Sequence, residues 1–439
     1  MIKNFTPPMN RTHLLYFFRN FELAYATKLN WTEYNIGYDH TAAIQIAEPD
    51  FMDPLSHLHE IGWGKWKEKE IPFILNSSLP ETIIEKTSDG RVKINADILS
   101  AGWYLMSGMQ ENTDKSRDKY GRFTHSQSLQ KKLNITTVPV VNYYFDILKK
   151  AIEMSQNVSI DSHRVFSGTV THDIDEVLSG WKHRILTSLE NKDYVRACFF
   201  GISQVFRPFS PWKNLQHLAA YNSSKGVHST FFFLPRNNKQ DSIKNADYPI
   251  AHRYISNQLE SLKKNNHEIG VHGSYRTHDI ARELIADRQQ ISLKTVSNRF
   301  HFLQFDLSKT PQVLASSKFA IDSTLGFQEH IGFRNSICTP FHLYDFEQDS
   351  PFEWLEVPLN VMDCTLEFEE YMGLSPERAL IEIKNLTQEI MKFNGNICLN
   401  WHNTYFSEYE KEAWKNLYKE LLDWLIEQNC EFKTLRELL

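Results

Sequence analysis

Apolar and polar positions fall into two regimes along this chain. In the first the pattern is mixed. Residues 14–28 are rich in aromatics and predict a helix, residues 42–47 alternate weakly, and residues 73–75 are a short strand candidate. Residues 97–108 are apolar with small side chains among them, and residues 143–152 predict another helix. The polar stretch 156–166 reads as a boundary. Beyond it, short β-prone runs alternate with helical spacing. Residues 167–172 predict a strand ending in acids, 184–189 begin helical material, and 228–234, with three consecutive phenylalanines, predict a buried strand. Residues 255–264 are amphipathic, 267–272 are strand-like, and Ile280, Leu284, Ile291 and Val296 predict a helix over 280–296. Near the end, Ser375 with Pro376 predicts a helix start, and Ala379, Leu380, Ile383, Leu386 and Ile390 continue at helical spacing to a stop at Asn394-Gly395. Residues 397–401 predict a strand, and Ser407 with Glu410 forms a capping-box pattern for the last helix. Strands alternating with helices imply parallel βαβ units, whose functional sites sit where strands end and loops begin. The expected division is therefore a mixed α/β segment over 1–160 and an α/β domain over 161–439.

Composition narrows the function. Of 439 residues, 41% are hydrophobic and 13% aromatic, enough to fill cores and too many for a disordered chain. The formal net charge of -6 lacks the basic stripe of a nucleic-acid binder. No stretch is apolar enough to span a bilayer, and the opening residues do not read as a secretory signal, so the expected location is cytoplasmic. The five cysteines, Cys198, Cys338, Cys364, Cys398 and Cys430, are scattered and odd in number, which predicts reduced thiols rather than a disulfide framework or a thiolate zinc site.

Two clusters carry chemistry. Thr171-His172-Asp173-Ile174-Asp175 follows a predicted strand. Two carboxylates one residue apart can divide labour, one binding a divalent cation and the other taking a proton from water, although acidic loop residues are more often solvated caps. The run from His267 to His278, beginning His-Glu-Ile-Gly-Val-His, also follows a strand, and imidazoles near a loop suit a zinc-like ion. Trp181, Tyr275, Trp354 and Trp401 could stack on sugar rings, but such aromatics are more often core.

In order along the chain, the acidic pair, the Ser-Thr-Phe-Phe-Phe strand, the His-Glu-Ile-Gly-x-His run, Arg299-Phe300-His301-Phe302 and Leu399-Asn400-Trp401-His402 resemble the NodB-homology polysaccharide deacetylases. Gly332-Phe333-Arg334, Glu356-Val357-Pro358-Leu359 and Gly121-Arg122-Phe123 are similar to a subgroup with an extra N-terminal domain. The resemblance implies a distorted parallel (β/α) barrel preceded by a smaller mixed α/β domain. It implies metal-assisted removal of an N-acetyl group from a carbohydrate, with Asp173 as general base, His402 as general acid and Arg299 holding the base. Asp175 and His272 would bind a divalent metal, zinc being the expected one. His172 is expected to be structural, since on a strand it points away from Asp173.

One departure matters. The family's second metal-binding histidine corresponds here to Arg276, which has no lone pair to give. His301, expected on a strand facing the same side as Arg299, is the preferred third ligand, and His278 is the alternative. Two rival readings stay open: a non-catalytic carbohydrate-binding protein on the same fold, and a metal-independent amidohydrolase acting on a small cyclic amide or ureide.

Overall fold

The computed structural model describes residues 9–190, 192–206, 210–407 and 411–439, apart from the side chains at 183, 187 and 203–206. Among the described residues ten strands form the main sheet: β1 Ser167–Ile174, β2 Thr230–Phe233, β3 Glu268–Gly273, β4 Ser297–Phe300, β5 Ile321–Asp322, β6 Phe341–Asp345, β7 Ser350–Glu356, β8 Val361–Met362, β9 Asn396–Asn400 and β10 Glu431–Phe432. Their order is β6-β7-β5-β4-β3-β2-β1-β9-β8, with β10 beside the start of β1. Every pairing is parallel except β6 with β7.

Chain connectivity makes this sheet curl. Laid flat, the seven spacings from β7 to β8 would put those strands roughly 34 Å apart. Yet Glu356 at the end of β7 and Val361 at the start of β8 are five residues apart, a reach of at most about 18 Å. The bridging segment bonds to both ends, Val357 N–H to Asp322 O at 2.8 Å and Asn360 N–H to Cys398 O at 3.2 Å. Inside the curl, Phe232, Ile321, Leu355, Val357, Leu359, Met362 and Cys398 share one apolar cluster.

The expected parallel barrel is thereby corrected in two respects. No strand pair closes the ring among the described residues, and the β6 edge is antiparallel. The second follows from the short turn between Asp345 and Ser350, since two strands joined by so few residues can pair only antiparallel.

Helices cover the outside. Ser375 accepts the Arg378 N–H and caps the helix Pro376–Met391, as its sequence predicts. The helix expected over 280–296 spans only Ala281–Gln290, because Val296 leads directly into β4. The last helix, Glu412–Glu427, starts after Lys411 rather than from a Ser407 box, and Glu410 lies outside the described residues. No helix is long and apolar enough to cross a membrane among the described residues.

Residues before 160 form the helices Arg11–Tyr25, Ile98–Ser107 and Val140–Gln156, a four-stranded sheet and a two-stranded hairpin. Their core runs without a break into the outer core of the main sheet. Among the contacts that join the segments, two are buried and close. Arg334 forks onto Glu111, Nε to Oε1 at 2.9 Å and Nη2 to Oε2 at 2.8 Å, with both side chains buried. Gly332, at φ 130°, lets the backbones touch, since a Cβ there would stand 2.2 Å from Thr136 O.

Candidate active site

The C-terminal ends of β1, β3, β4 and β9 open onto a cavity of about 330 Å³. Asp173, Asp175, His272, His301 and His402 all line it, together with Tyr120, Arg122, Phe302, Phe368, Tyr371 and Tyr405. Parallel strands end on the same side, so residues at successive strand ends converge although they are far apart in sequence.

Asp173 sits near the end of β1 with both oxygens held. Oδ1 accepts from Arg299 Nη1 at 3.1 Å and Oδ2 from Asn400 Nδ2 at 2.8 Å. Burial works against its charge, but His272, Arg299 and His402 overrule it and hold the carboxyl below its ordinary value. Arg299 is fully buried beneath it, and its remaining donors reach Thr171 Oγ1 at 2.6 Å, Ser323 O at 2.7 Å and Ser323 Oγ at 2.9 Å. A buried guanidinium with its donors satisfied is a fixed positive charge under the carboxylate.

Asp175, just past the strand, meets three imidazoles. Its Oδ1 lies 3.4 Å from His272 Nε2 and 3.6 Å from His301 Nδ1, and its Oδ2 lies 3.8 Å from His402 Nε2. His272 Nδ1 is 2.8 Å from Arg299 O. A carbonyl can only accept, so Nδ1 carries the proton and Nε2 turns a lone pair into the cavity unless it is protonated too. His301 bonds the Lys244 backbone and turns Nδ1 to within 3.2 Å of His272 Nε2. Two facing lone pairs need a cation, either a proton or a metal ion. Burial lowers His301 to about 4, so it stays neutral and available as a ligand, whereas the neighbouring carboxylates raise His272 against its burial.

These three groups fit a divalent metal. Their ligand atoms stand 3.2, 3.4 and 3.6 Å apart. Tetrahedral ligands about 2.0–2.2 Å from zinc would stand about 3.3–3.6 Å from one another. Asp175 Oδ1 is also buried without a hydrogen-bond partner, an acceptor left unsatisfied by the protein alone.

His402 follows β9. Its Nδ1 donates to Asp363 Oδ1 at 2.7 Å and its backbone N–H to Asp363 Oδ2 at 2.6 Å. Burial opposes charging, yet Asp363, Asp175 and Asp173 push the imidazole up to about 10. Sequence reasoning missed Asp363 and Asn400. Asp363 follows the two-residue strand β8, too short to stand out as periodicity; the acid at the end of an apolar run was its only signal.

His301 reaches the site by a route other than the one expected. It is not on a strand: β4 ends at Phe300, and His301 opens a 3-10 turn to Leu303. The alternative, His278, lies outside the group. It occupies a turn with its ring beside Phe300, 6.4 Å between centroids, and is absent from the ligand cluster. Arg276 points to solvent and pairs with Asp241 at 2.7 Å. His172 faces the opposite side of β1, donating from Nδ1 to Trp401 O at 2.6 Å and accepting from Asn222 at 3.0 Å. Tyr275, Trp354 and Trp401 are buried in the core, and Trp181 is half-buried.

A family of unknown function, DUF7033, matches residues 13–157. No curated protein matches the sequence. Among solved structures the chain is similar to a protein from Mycobacterium smegmatis assigned as a polysaccharide deacetylase, at 15% identity over 63% of this chain and 88% of that one, TM-score 0.40. It is also similar to a variant of the peptidoglycan deacetylase PdaC from Bacillus subtilis, at 12% identity over 64% and 92%, TM-score 0.29. A third similar structure is Puue allantoinase, at 10% identity over 62% and 88%, TM-score 0.40.

Proposed function

We propose that this protein is a metal-assisted hydrolase that cleaves the amide of an N-acetylated amino sugar, yielding acetate and a free amine. The observation that carries the reading is the meeting, in one cavity, of three groups with different roles. They are a ligand set of Asp175, His272 and His301, a carboxylate held ionised in Asp173, and an imidazole held protonated in His402.

A divalent ion bound by Asp175, His272 and His301 would supply Lewis acidity, polarising the amide carbonyl and acidifying water. Asp173, ionised and immobilised by Arg299 and Asn400, takes the proton from the attacking water. His402 donates from Nε2 to the departing nitrogen, which leaves poorly as an anion, while Asp363 keeps the ring oriented and charged. The water oxygen ends on the acyl carbon, which leaves as acetate, and both water protons are accounted for on the departing nitrogen as its ammonium form, with Asp173 losing and His402 regaining a proton through solvent, so the hydrolysis balances.

The rim supports a sugar as the occupant. Aromatic side chains line the cavity, Phe368 and Tyr371 among them, and such rings suit the C–H faces of a pyranose. All five cysteines are free of disulfides, which supports a reducing compartment and a cytosolic glycan or glycan precursor.

The test is acetate release from N-acetylglucosamine oligomers by zinc-loaded protein, measured with metal content. Turnover that disappears with a chelator and returns with zinc is the expected result. Protein that neither holds a metal nor releases acetate belongs to the carbohydrate-binding reading. Turnover of a cyclic ureide without metal belongs to the metal-independent one.

A further inference from the structure

His301 is placed by backbone that its neighbours do not favour. Phe302 and Leu303 have φ of 59° and 53°, in the left-handed region that residues with a Cβ occupy at a cost. Two such residues in succession persist only where the surroundings impose them. The imposing contacts come from the N-terminal segment. The Tyr120 ring stacks on Phe302, centroids 4.9 Å apart and planes within 6°. Arg122 Nη1 donates to Phe302 O and to Gln328 Oε1, each at 3.0 Å. Gln304, just past the turn, donates to Tyr120 O at 2.9 Å and accepts the Arg276 N–H at 2.8 Å.

The contacting segment is itself rigid. Asp118 Oδ1 accepts the N–H groups of Tyr120 and Arg122, both at 2.9 Å, and Oδ2 accepts Arg122 Nε at 2.8 Å. Gly121 at φ 80° closes the turn where a Cβ would be strained. Arg122 is 7% exposed and its guanidinium lies over the Tyr120 ring at 4.8 Å. With Nε and Nη2 on Asp118 and Nη1 on two oxygens, four of its five donors are committed to protein acceptors rather than to a ligand.

We propose that the turn Asp118 to Arg122 is a clamp that imposes the left-handed backbone after His301 and so completes the metal site. This rests on the reading of Asp175, His272 and His301 as metal ligands. The N-terminal segment thereby acquires a role in the site, because Arg122 and Tyr120 are positioning residues for a ligand they do not touch. Without the clamp the turn relaxes toward ordinary backbone and carries the His301 ring away from Asp175 and His272.

The test is zinc affinity by equilibrium dialysis on the full chain, with the cobalt(II) absorption spectrum as a second readout. Arg122→Gln and Tyr120→Ala, each checked for a native circular dichroism spectrum, are expected to weaken zinc by about tenfold, the scale of outer-shell changes. Both should alter the cobalt spectrum toward that of His301→Ala. In a His301→Ala background neither should have any further effect, because the ligand they position is gone. Unchanged affinity in both single variants overturns the clamp, and so does an undiminished effect in the His301→Ala background. If the wild-type chain binds no zinc, the metal reading itself falls and takes the clamp with it, an outcome distinct from the other two.

Discussion

Asp363 grips His402 at two points, its Oδ1 2.7 Å from the ring Nδ1 and its Oδ2 2.6 Å from the backbone nitrogen. One carboxylate thus sets the position, tautomer and charge of the imidazole that faces the ligand cluster. Burial alone would lower this histidine; the carboxylates raise it to about 10. A raised imidazole stabilises the fold fully below its unfolded value near 6.5, and that contribution is lost as pH rises through about 10. Asp363→Asn removes the largest raising influence. Its kcat/KM profile is expected to lose its alkaline limb at a pH at least one unit lower than wild type. An unmoved limb would assign that limb to another group.

Asp173 and Asp175 are expected to separate on substitution. Asp173→Asn keeps the ligand cluster and removes the proton acceptor, so turnover should drop by at least about a hundredfold with metal content near wild type. Asp175→Asn should lower both. Equal metal content and equal rates in the two variants would refute the division of roles.

His301 and His278 give a second contrast. His301 Nδ1 is 3.6 Å from Asp175 Oδ1, whereas His278 is absent from the cluster. His301→Ala is expected to weaken zinc by at least about tenfold, or about 1.4 kcal/mol, and His278→Ala to leave it unchanged. Equilibrium dialysis of both variants decides it.

The bolt between the segments is a stability prediction. Glu111→Gln leaves Arg334 buried and without its charge partner, which costs about 3–5 kcal/mol. The urea midpoint should fall accordingly. A midpoint within error of wild type would mean that water or a neighbouring group takes up the guanidinium.

Much of the local organisation is legible in the chain because local patterns report it. Three phenylalanines in a row mark a buried strand, and Ser375-Pro376 marks a helix start. The strand-end clusters around Asp173 and His272 are visible for the same reason: a β-prone run that stops at acids or histidines marks the end where a parallel sheet presents them. The segment 156–166 also reads as polar connection in the chain and carries no helix or strand after Gln156 until β1.

Tertiary structure decided which of these residues meet. Strand alternation predicts His301 in the site, yet it arrives through a left-handed turn held by Tyr120 and Arg122, contacts roughly 180 residues distant in sequence that no local pattern encodes. Asp363 leaves only a faint trace in the chain, an acid ending an apolar run, because a two-residue strand has no period to read, and its role exists only where the curl of the sheet sets β8 beside β9. The sequence by itself determined the strand ends and the residue types there, because backbone preference and side-chain alternation are local. Which ends converge, and which histidine fills the place that Arg276 leaves open, depended on a curl set by the four-residue link between Glu356 and Val361.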